Sequence, residues 1–381
     1  MATPRKRTWV NPRGETKAAW VVDYRDSAGR RRNHQFALKR DADAFARRAA
    51  WEVDLGVHTV DADSVTVGFA ADLWVAKAEA EGRERSTTKQ YKELRDLHIV
   101  PLIGGTKLSR LSMPAVEAFR DALVASRSKA MAGKAVRALS SILSEAQRRG
   151  LVAQNVAKGV KVVRPRRERP RAQIPSREDL RALIRLADDD FRPFLMTAVF
   201  TGLRSSELRG LRWTNVDLKA ATLTVSQRAD QWGVIGPPKS AAGLRTIPIP
   251  PALVSELRLW KLRCPKGTLE LVFPNESGGV QWHSNLLRRR YQPAQVKAGL
   301  YEPTGTLDED GDPAVVAKYG LHSLRHAAAS AWIKQGIDLK RLTTWIGHSS
   351  VQQTLDVYGH LLTDDHGDAA IAAAAQAELL A

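Results

Sequence analysis

The chain has 381 residues, a formal net charge of +18 and a hydrophobic share of 43%. Its length exceeds one typical domain, and its apolar share excludes wholesale disorder. The charge excess points to a polyanionic partner, nucleic acid first and an anionic membrane surface second. The single Cys264 excludes an internal disulfide and fits a reducing compartment. The basic start MATPRKRTWVNPRG is not followed by the apolar core of a signal peptide. No run approaches the roughly 18 uninterrupted apolar residues of a spanning helix. The default reading is a cytoplasmic protein that faces DNA and not a membrane.

Residues 1–60 read as a small module. Arg7–Val10 and Ala18–Tyr24 have strand character, Asp26-Ser27-Ala28-Gly29 is a turn signal, and Arg30–Phe36 returns as a third strand. From Lys39 the pattern turns helical through Phe45, Ala49 and Val53, with Gly56 placed to cap the end. A three-stranded sheet against one helix is expected. Its arginines, among them Arg30, Arg31 and Arg32, can meet phosphates or base edges, unless the hairpin is only a solvated charged surface.

Residues 64–160 read as all-helical. Phe69, Leu73, Trp74 and Lys77 mark a first helix, and Ser86-Thr87-Thr88 precedes a second with Tyr91, Leu94 and His98. Pro114 opens a third, carrying Val116, Phe119 and Leu123. Val136, Leu139, Ile142 and Leu143 mark a fourth, which Gly150 closes. The aromatic and aliphatic positions are expected in the core. Lys134 and Arg137 lie on an outer face that serves DNA or solubility equally well. The stretch KVVRPRRERPRAQIP over 161–175, with Arg166 and Arg167, reads as an extended basic linker able to close two domains around a duplex, or simply as a soluble spacer.

The last domain is expected over 176–381, opening on the helix start Ser176-Arg177-Glu178-Asp179. An apolar helix over Phe191–Phe200 leads to Thr201-Gly202-Leu203-Arg204, with Glu207 one turn further on. Thr222–Ser226 and Arg245–Ile249 read as strands, and the loop between them carries Lys239. Helices follow around Leu253–Lys261 and Asn285–Leu300. The acidic stretch EPTGTLDEDGDP reads as a flexible excursion. Between Gly320 and His360 stand His322, Arg325, His348 and Tyr358, groups suited to work on phosphate esters. The arginine fork matches phosphate oxygens, imidazoles hold or move a proton near neutral pH, and a deprotonated phenol is a nucleophile. His322 and Arg325, three apart, share a helix face. His326, about 100° round the helix from Arg325, is read as structural.

The ordered set Arg204, Lys239, His322, Arg325, His348 and Tyr358 resembles the tyrosine recombinases of the phage integrase family, specifically the lambda integrase class. The words that carry the resemblance are TGLRSSEL, PPKSAAGLRTIPIP, HSLRH, WIGHSS and TLDVYGH. The resemblance implies a mainly α, multidomain protein. Its parts are a β-sheet-plus-helix arm-binding domain (1–60), an all-α SAM-like core-binding domain (64–160) and a mixed α+β, mostly helical catalytic domain. It further implies that Tyr358 attacks a DNA phosphodiester to give a 3′-phosphotyrosine and a free 5′-hydroxyl. Arg204 and Arg325 would stabilise the phosphorane charge, His322 would act as acid/base, Lys239 as general acid and His348 as the phosphate-orienting group. Glu207 would fix helix or histidine geometry behind them. No cofactor, metal or ATP is implied. The implied partners are double-stranded attachment sites, three further copies in a tetramer on DNA, and accessory bending or directionality proteins. A type IB topoisomerase shares a similar residue set, and a DNA-binding protein that has lost cutting shares the fold. The small N-terminal module argues against the first and the complete residue set against the second.

Overall fold

The computed structural model describes residues 3–25, 29–54, 61, 63–163, 173–307, 311, 313–362, 373 and 376–380. The turn residues 26–28, Gly56, the linker arginines Arg166 and Arg167 and most of the Ala-rich tail lie outside them. The chain divides into two compact units, Met1–Arg169 and Pro170–Ala381.

The first unit opens with the antiparallel sheet β1 (Arg5–Val10), β2 (Thr16–Arg25) and β3 (Arg31–Phe36), in that spatial order, followed by α1 (Lys39–Asp54). Period-two alternation on β2 sends Trp20, Val22 and Tyr24 to one face. There they meet Ala42, Phe45 and Ala46 of the helix. His34 stacks on Phe45 at 5.0 Å, completing a small aromatic core. The helical part follows as α2 (Val67–Ala80), α3 (Arg85–Leu94), a π-helical turn over Arg95–Ile99, α4 (Val100–Ile103), α5 (Met113–Ser126) and α6 (Lys129–Arg148). Thr66, Ser112 and Ser128 cap α2, α5 and α6 by accepting from the backbone N–H three residues on. Leu139, Ile142 and Leu143 of α6 are fully buried, each worth about 1.5–3 kcal/mol of transfer from water.

Two expectations are corrected in this unit. Phe69 is 49% exposed, because the buried stripe of α2 is Val67, Ala70, Ala71, Trp74, Val75 and Ala78 and Phe69 falls on the opposite face. The second helix begins at Arg85, so Ser86, Thr87 and Thr88 form its first turn rather than preceding it.

The second unit starts with α7 (Arg177–Leu186), closed at its N-terminus by a reciprocal Ser176–Asp179 capping box. The buried α8 (Arg192–Thr201) and short α9 (Ser205–Gly210) follow. A three-stranded antiparallel sheet of β4 (Val216–Asp217), β5 (Thr222–Val225) and β8 (Arg245–Pro248) is interrupted by a small hairpin, β6 (Arg228–Ala229) with β7 (Ile235–Gly236). Then come α10 (Pro251–Arg263), α11 (His283–Asn285), a π-helical segment over Leu286–Tyr291 and α12 (Gln292–Lys297). The ribbon β9 (Tyr301–Leu307) and β10 (Pro313–Ala317) leads to α13 (His322–Lys334), α14 (Leu339–Ile346) and α15 (Val351–Tyr358). The main core gathers residues such as Leu195, Leu208, Ile247, Leu257 and Leu324. A satellite core of Ala329, Leu342, Ile346 and Tyr358 joins the last three helices.

The acidic stretch expected as a flexible excursion is instead largely a paired ribbon, with Val316 opposite Glu302 and Ala317 opposite Tyr301. Its β9 strand is exposed throughout. Such a ribbon lacks the apolar alternation that marks a half-buried strand, so pattern reading misses it.

Candidate active site

The site is assembled where α8, α9, β8 and α13–α15 meet. Helix α8 ends at Gly202, whose φ of +60° is the left-handed conformation that favours glycine. A side chain there would also press on Ile346 and Ala328, 3.2 and 3.3 Å from its first carbon. This tight turn sets Arg204 at the N-cap of α9. Its backbone N–H donates to Glu207 Oε2 at 2.9 Å and its Nη1 donates to Glu207 Oε1 at 2.8 Å. Glu207 is only 3% exposed. It also receives Nη2 and Nη1 of Arg245 at 2.9 and 3.2 Å.

Three arginines from three elements bind three successive carbonyls at the end of α14. Arg245 Nε donates to Trp345 O at 2.7 Å, Arg325 Nη2 to Ile346 O, and Arg204 Nη2 to Gly347 O at 2.9 Å. Arg325 also donates through Nη1 to Gly202 O at 2.8 Å. The last carbonyls of a helix lack intrahelical partners and carry its negative end, so guanidinium groups satisfy both needs there. Gly347 then reverses the chain with φ +70°, and a side-chain carbon at this position would lie 2.8 Å from Arg245 Nη1. Glycine is required on both counts.

The reversal delivers His348, which is buried. Its Nδ1 lies 3.0 Å from Thr354 Oγ1, which lies 2.9 Å from Thr343 Oγ1, and the Thr343 hydroxyl donates to Leu339 O at 2.8 Å. One proton per hydroxyl fixes the direction. Thr343 spends its proton on the carbonyl, Thr354 spends its own on Thr343, and His348 therefore donates from Nδ1.

Tyr358, 1% exposed, closes α15 beside this ring, the two stacked with centroids 6.1 Å apart. Its hydroxyl lies 3.0 Å from Nδ1 of His326. His322, exposed at the start of α13, meets His326 edge to face at 4.9 Å. Lys239 is exposed on the loop between β7 and β8, the strand that opens with Arg245.

The electrostatics follow from burial among cations. Burial, then the Arg325 and Arg204 charges, push His348 down to about 4. Burial, then His326, Arg325 and Arg204, push His322 to about 4 as well, with water on its exposed side screening part of that effect. His326 is lowered by burial and by Arg325. All three imidazoles are thus neutral at pH 7. Burial raises the Tyr358 phenol, with Arg325 and Arg204 pulling partly against it. Burial raises the Glu207 carboxyl, but the Arg245 hydrogen bonds and charge outweigh it, and the group is held below the usual carboxylate range.

The hydrogen bonds and ring contacts thus draw Arg204, Glu207, His322, Arg325, His348 and Tyr358 together. Glu207 accepts from the side chains of Arg204 and Arg245 and from the backbone N–H of Arg204, so the partners it holds are arginines. The structure adds two residues to this cluster, Arg245 and His326. Arg245 was visible as the inward partner of Ile247 and Ile249 on an alternating strand. His326 reads as structural by its angle from Arg325, but the informative spacing is from His322, four residues back and one turn along the same face. Of the candidate DNA-contacting residues, Arg31, Lys134 and Arg137 are exposed. Arg32 and Arg30 reach Asp63 at 3.3 and 3.9 Å.

Both the sequence and the fold have known counterparts. Residues 176–364 match the model of the phage integrase family. A XerC-like tyrosine recombinase of Caldanaerobacter subterraneus subsp. tengcongensis is 24% identical over 394 residues, covering 94% of this chain and 95% of that protein. The prophage integrase IntR of Escherichia coli K12 is 25% identical over 81% of this chain and 79% of its own. Among solved structures, the Tn1549 transposon integrase bound to a circular intermediate DNA superposes with a TM-score of 0.63 at 18% identity, over 84% of this chain and all of that one. A lambda integrase tetramer on a Holliday junction gives 0.58 at 19% identity, over 91% of this chain and 96% of that one. Over residues 176–364 the chain belongs to the phage integrase family of tyrosine recombinases, enzymes of site-specific DNA recombination.

Proposed function

We propose that the second unit cuts and rejoins DNA through Tyr358, using Arg204, Arg325, His348, His322 and Lys239 around one phosphate. The observation that carries this reading is the placement of a buried tyrosine hydroxyl beside neutral imidazoles and within the field of two arginines. A phosphodiester is already negative, and attack on phosphorus concentrates charge on its non-bridging oxygens. Arg204 and Arg325 donate to those oxygens with the N–H groups not engaged by carbonyls and Glu207, and fixed donors of this kind need no reorganisation when charge develops. The Tyr358 oxygen displaces the 5′-oxygen of the next nucleotide, forming a 3′-phosphotyrosine. Lys239, on its exposed loop, delivers the proton that the leaving oxygen needs. His348, once it takes up a second proton at Nε2, orients the phosphate, and His322 serves proton transfer at the same centre. One phosphate ester replaces another, so the bond energy stays nearly level and a second strand's 5′-hydroxyl reverses the step.

The first unit then supplies positioning on DNA. The sheet module, through Arg30, Arg31 and Arg32, and the helical part, through Lys134 and Arg137, contact phosphates, with the 161–175 linker between them and the catalytic domain of 176–381. Four copies assemble on the paired sites, as in the lambda integrase tetramer. Accessory DNA-bending or directionality proteins complete the reading. The test is a nicked duplex carrying the site that this protein selects from a random DNA pool. Wild type is expected to accumulate a covalent protein–DNA adduct and Tyr358→Phe to form none. An adduct with the Phe variant would remove Tyr358 from the role.

A further inference from the structure

We propose that His326, rather than His322, holds the Tyr358 hydroxyl and accepts its proton as the phosphotyrosine forms; this rests on Tyr358 being the nucleophile. The two groups meet at 3.0 Å between Nδ1 and the phenolic oxygen, within the reach of a general base. Tyr358 is buried and its oxygen also has the Arg325 guanidinium as a donor, so the single phenolic proton turns to His326, whose Nδ1 accepts it in the tautomer that carries its hydrogen on Nε2. His322 makes its ring contact with His326, at 4.9 Å, whereas the rings in contact with Tyr358 are those of His326 and His348. The groups facing His326 are Arg325 and His322 on its own helix, and Tyr358, with the His348 ring stacked behind it, from the other side. The only full charge among them at neutral pH is the Arg325 cation. The ring is therefore neutral and able to accept.

The step balances. The Tyr358 O–H proton moves to His326 Nδ1 as the tyrosyl oxygen bonds to phosphorus. The bond from phosphorus to the 5′-oxygen breaks, and that oxygen takes a proton from the general acid on the leaving side. On rejoining, the incoming 5′-hydroxyl gives its proton back to that general acid as its oxygen bonds to phosphorus, and the His326 imidazolium returns its proton to the departing tyrosyl oxygen, so the enzyme finishes in the protonation state it began with. His322 is left free for the phosphate or the leaving side.

The experiment follows single-turnover adduct formation between pH 5.5 and 9 on the selected nicked duplex, for wild type, His326→Gln, His326→Ala, His322→Gln and Tyr358→Phe. His326→Gln keeps a hydrogen-bonding side chain but no base. It is expected to bind the duplex as wild type does, to slow adduct formation about 10²-fold or more at neutral pH, and to speed up steadily towards alkaline pH as hydroxide takes over. Added imidazole is expected to restore part of the rate of His326→Ala. A second duplex carries a bridging sulfur in place of the 5′-oxygen, a leaving group that needs no proton. The His326→Gln defect is expected to persist on it. The proposal is overturned if His326→Gln keeps the wild-type rate and pH profile, if its defect vanishes on the sulfur duplex, or if only His322→Gln shows the alkaline recovery. An adduct with Tyr358→Phe would instead overturn the underlying reading of the nucleophile.

Discussion

The arginines of the N-terminal sheet and those of the candidate active site are used in opposite ways. On the N-terminal sheet they stand in water and pair with carboxylates that are themselves partly exposed, as Arg5 does with Asp23 and Arg32 with Asp63. Such pairs contribute about 0–1 kcal/mol and weaken with salt. In the second unit Arg245 and Glu207 have side chains 1% and 4% exposed, and Arg325 is 2% exposed. There each guanidinium is bound to helix carbonyls or to a buried carboxylate. Charge at the surface is replaceable one residue at a time. Charge in the interior is not, because removing one member leaves the other desolvated and alone.

That contrast breaks most visibly at Glu207. Glu207→Gln is expected to destabilise the protein by roughly 3–5 kcal/mol, since it strips the buried Arg245 of its counter-charge. Denaturant unfolding measures this, and a loss below about 1 kcal/mol would mean that the carbonyls alone hold Arg245. Next comes Arg204→Lys. It is expected to cut adduct formation about 10²–10³-fold, the scale for losing a fixed transition-state donor, because an ammonium cannot reproduce the planar fork that spans Glu207, Gly347 O and a phosphate. An unchanged rate would leave Arg204 a purely structural residue.

A smaller effect is expected from acid. His348 and His322 sit near 4 in the folded chain against an ordinary value of 6.5. Between those values the unfolded chain binds more protons, so stability rises with pH. Their contribution is complete above about pH 6.5 and erodes as pH falls towards 4. Unfolding of His348→Gln against wild type across this window isolates the buried ring, and parallel curves would contradict the assignment. The smallest effect belongs to the sheet. Arg31→Ala is expected to leave stability within about 0.5 kcal/mol and to lower the salt slope of DNA binding by about one unit. An unchanged slope would return that arginine to the solvated surface.

Much of the site was legible because its chemistry is carried by residue types with fixed chain order. Arg204 followed a glycine turn, His322 and Arg325 shared a face, and Tyr358 followed His348 at short range. What escaped reading depended on the third dimension. A charged residue at an inward strand position, Arg245, looks like any surface arginine until its buried partner is seen. His326 gains its meaning from α15, which approaches only after the chain has folded back through Gly347. The β9–β10 ribbon escaped for the opposite reason. Its strands bury little, so no hydrophobic period announces them.

The hydroxyl chain behind His348 has one more consequence, in the bookkeeping of protons between protein and DNA. Because Leu339 O takes the Thr343 proton, the order of donors runs outward and leaves neutral His348 with its hydrogen on Nδ1 and a lone pair on Nε2. A lone pair cannot hold a phosphate oxygen. For His348 to grip DNA through Nε2 it must first gain a second proton, which makes this contact a proton-uptake step strengthened by mild acid. Binding heats measured in buffers of different ionisation enthalpy would register that proton. A main-chain carbonyl at the start of α14 thus decides whether a histidine meets its substrate as acceptor or as cation.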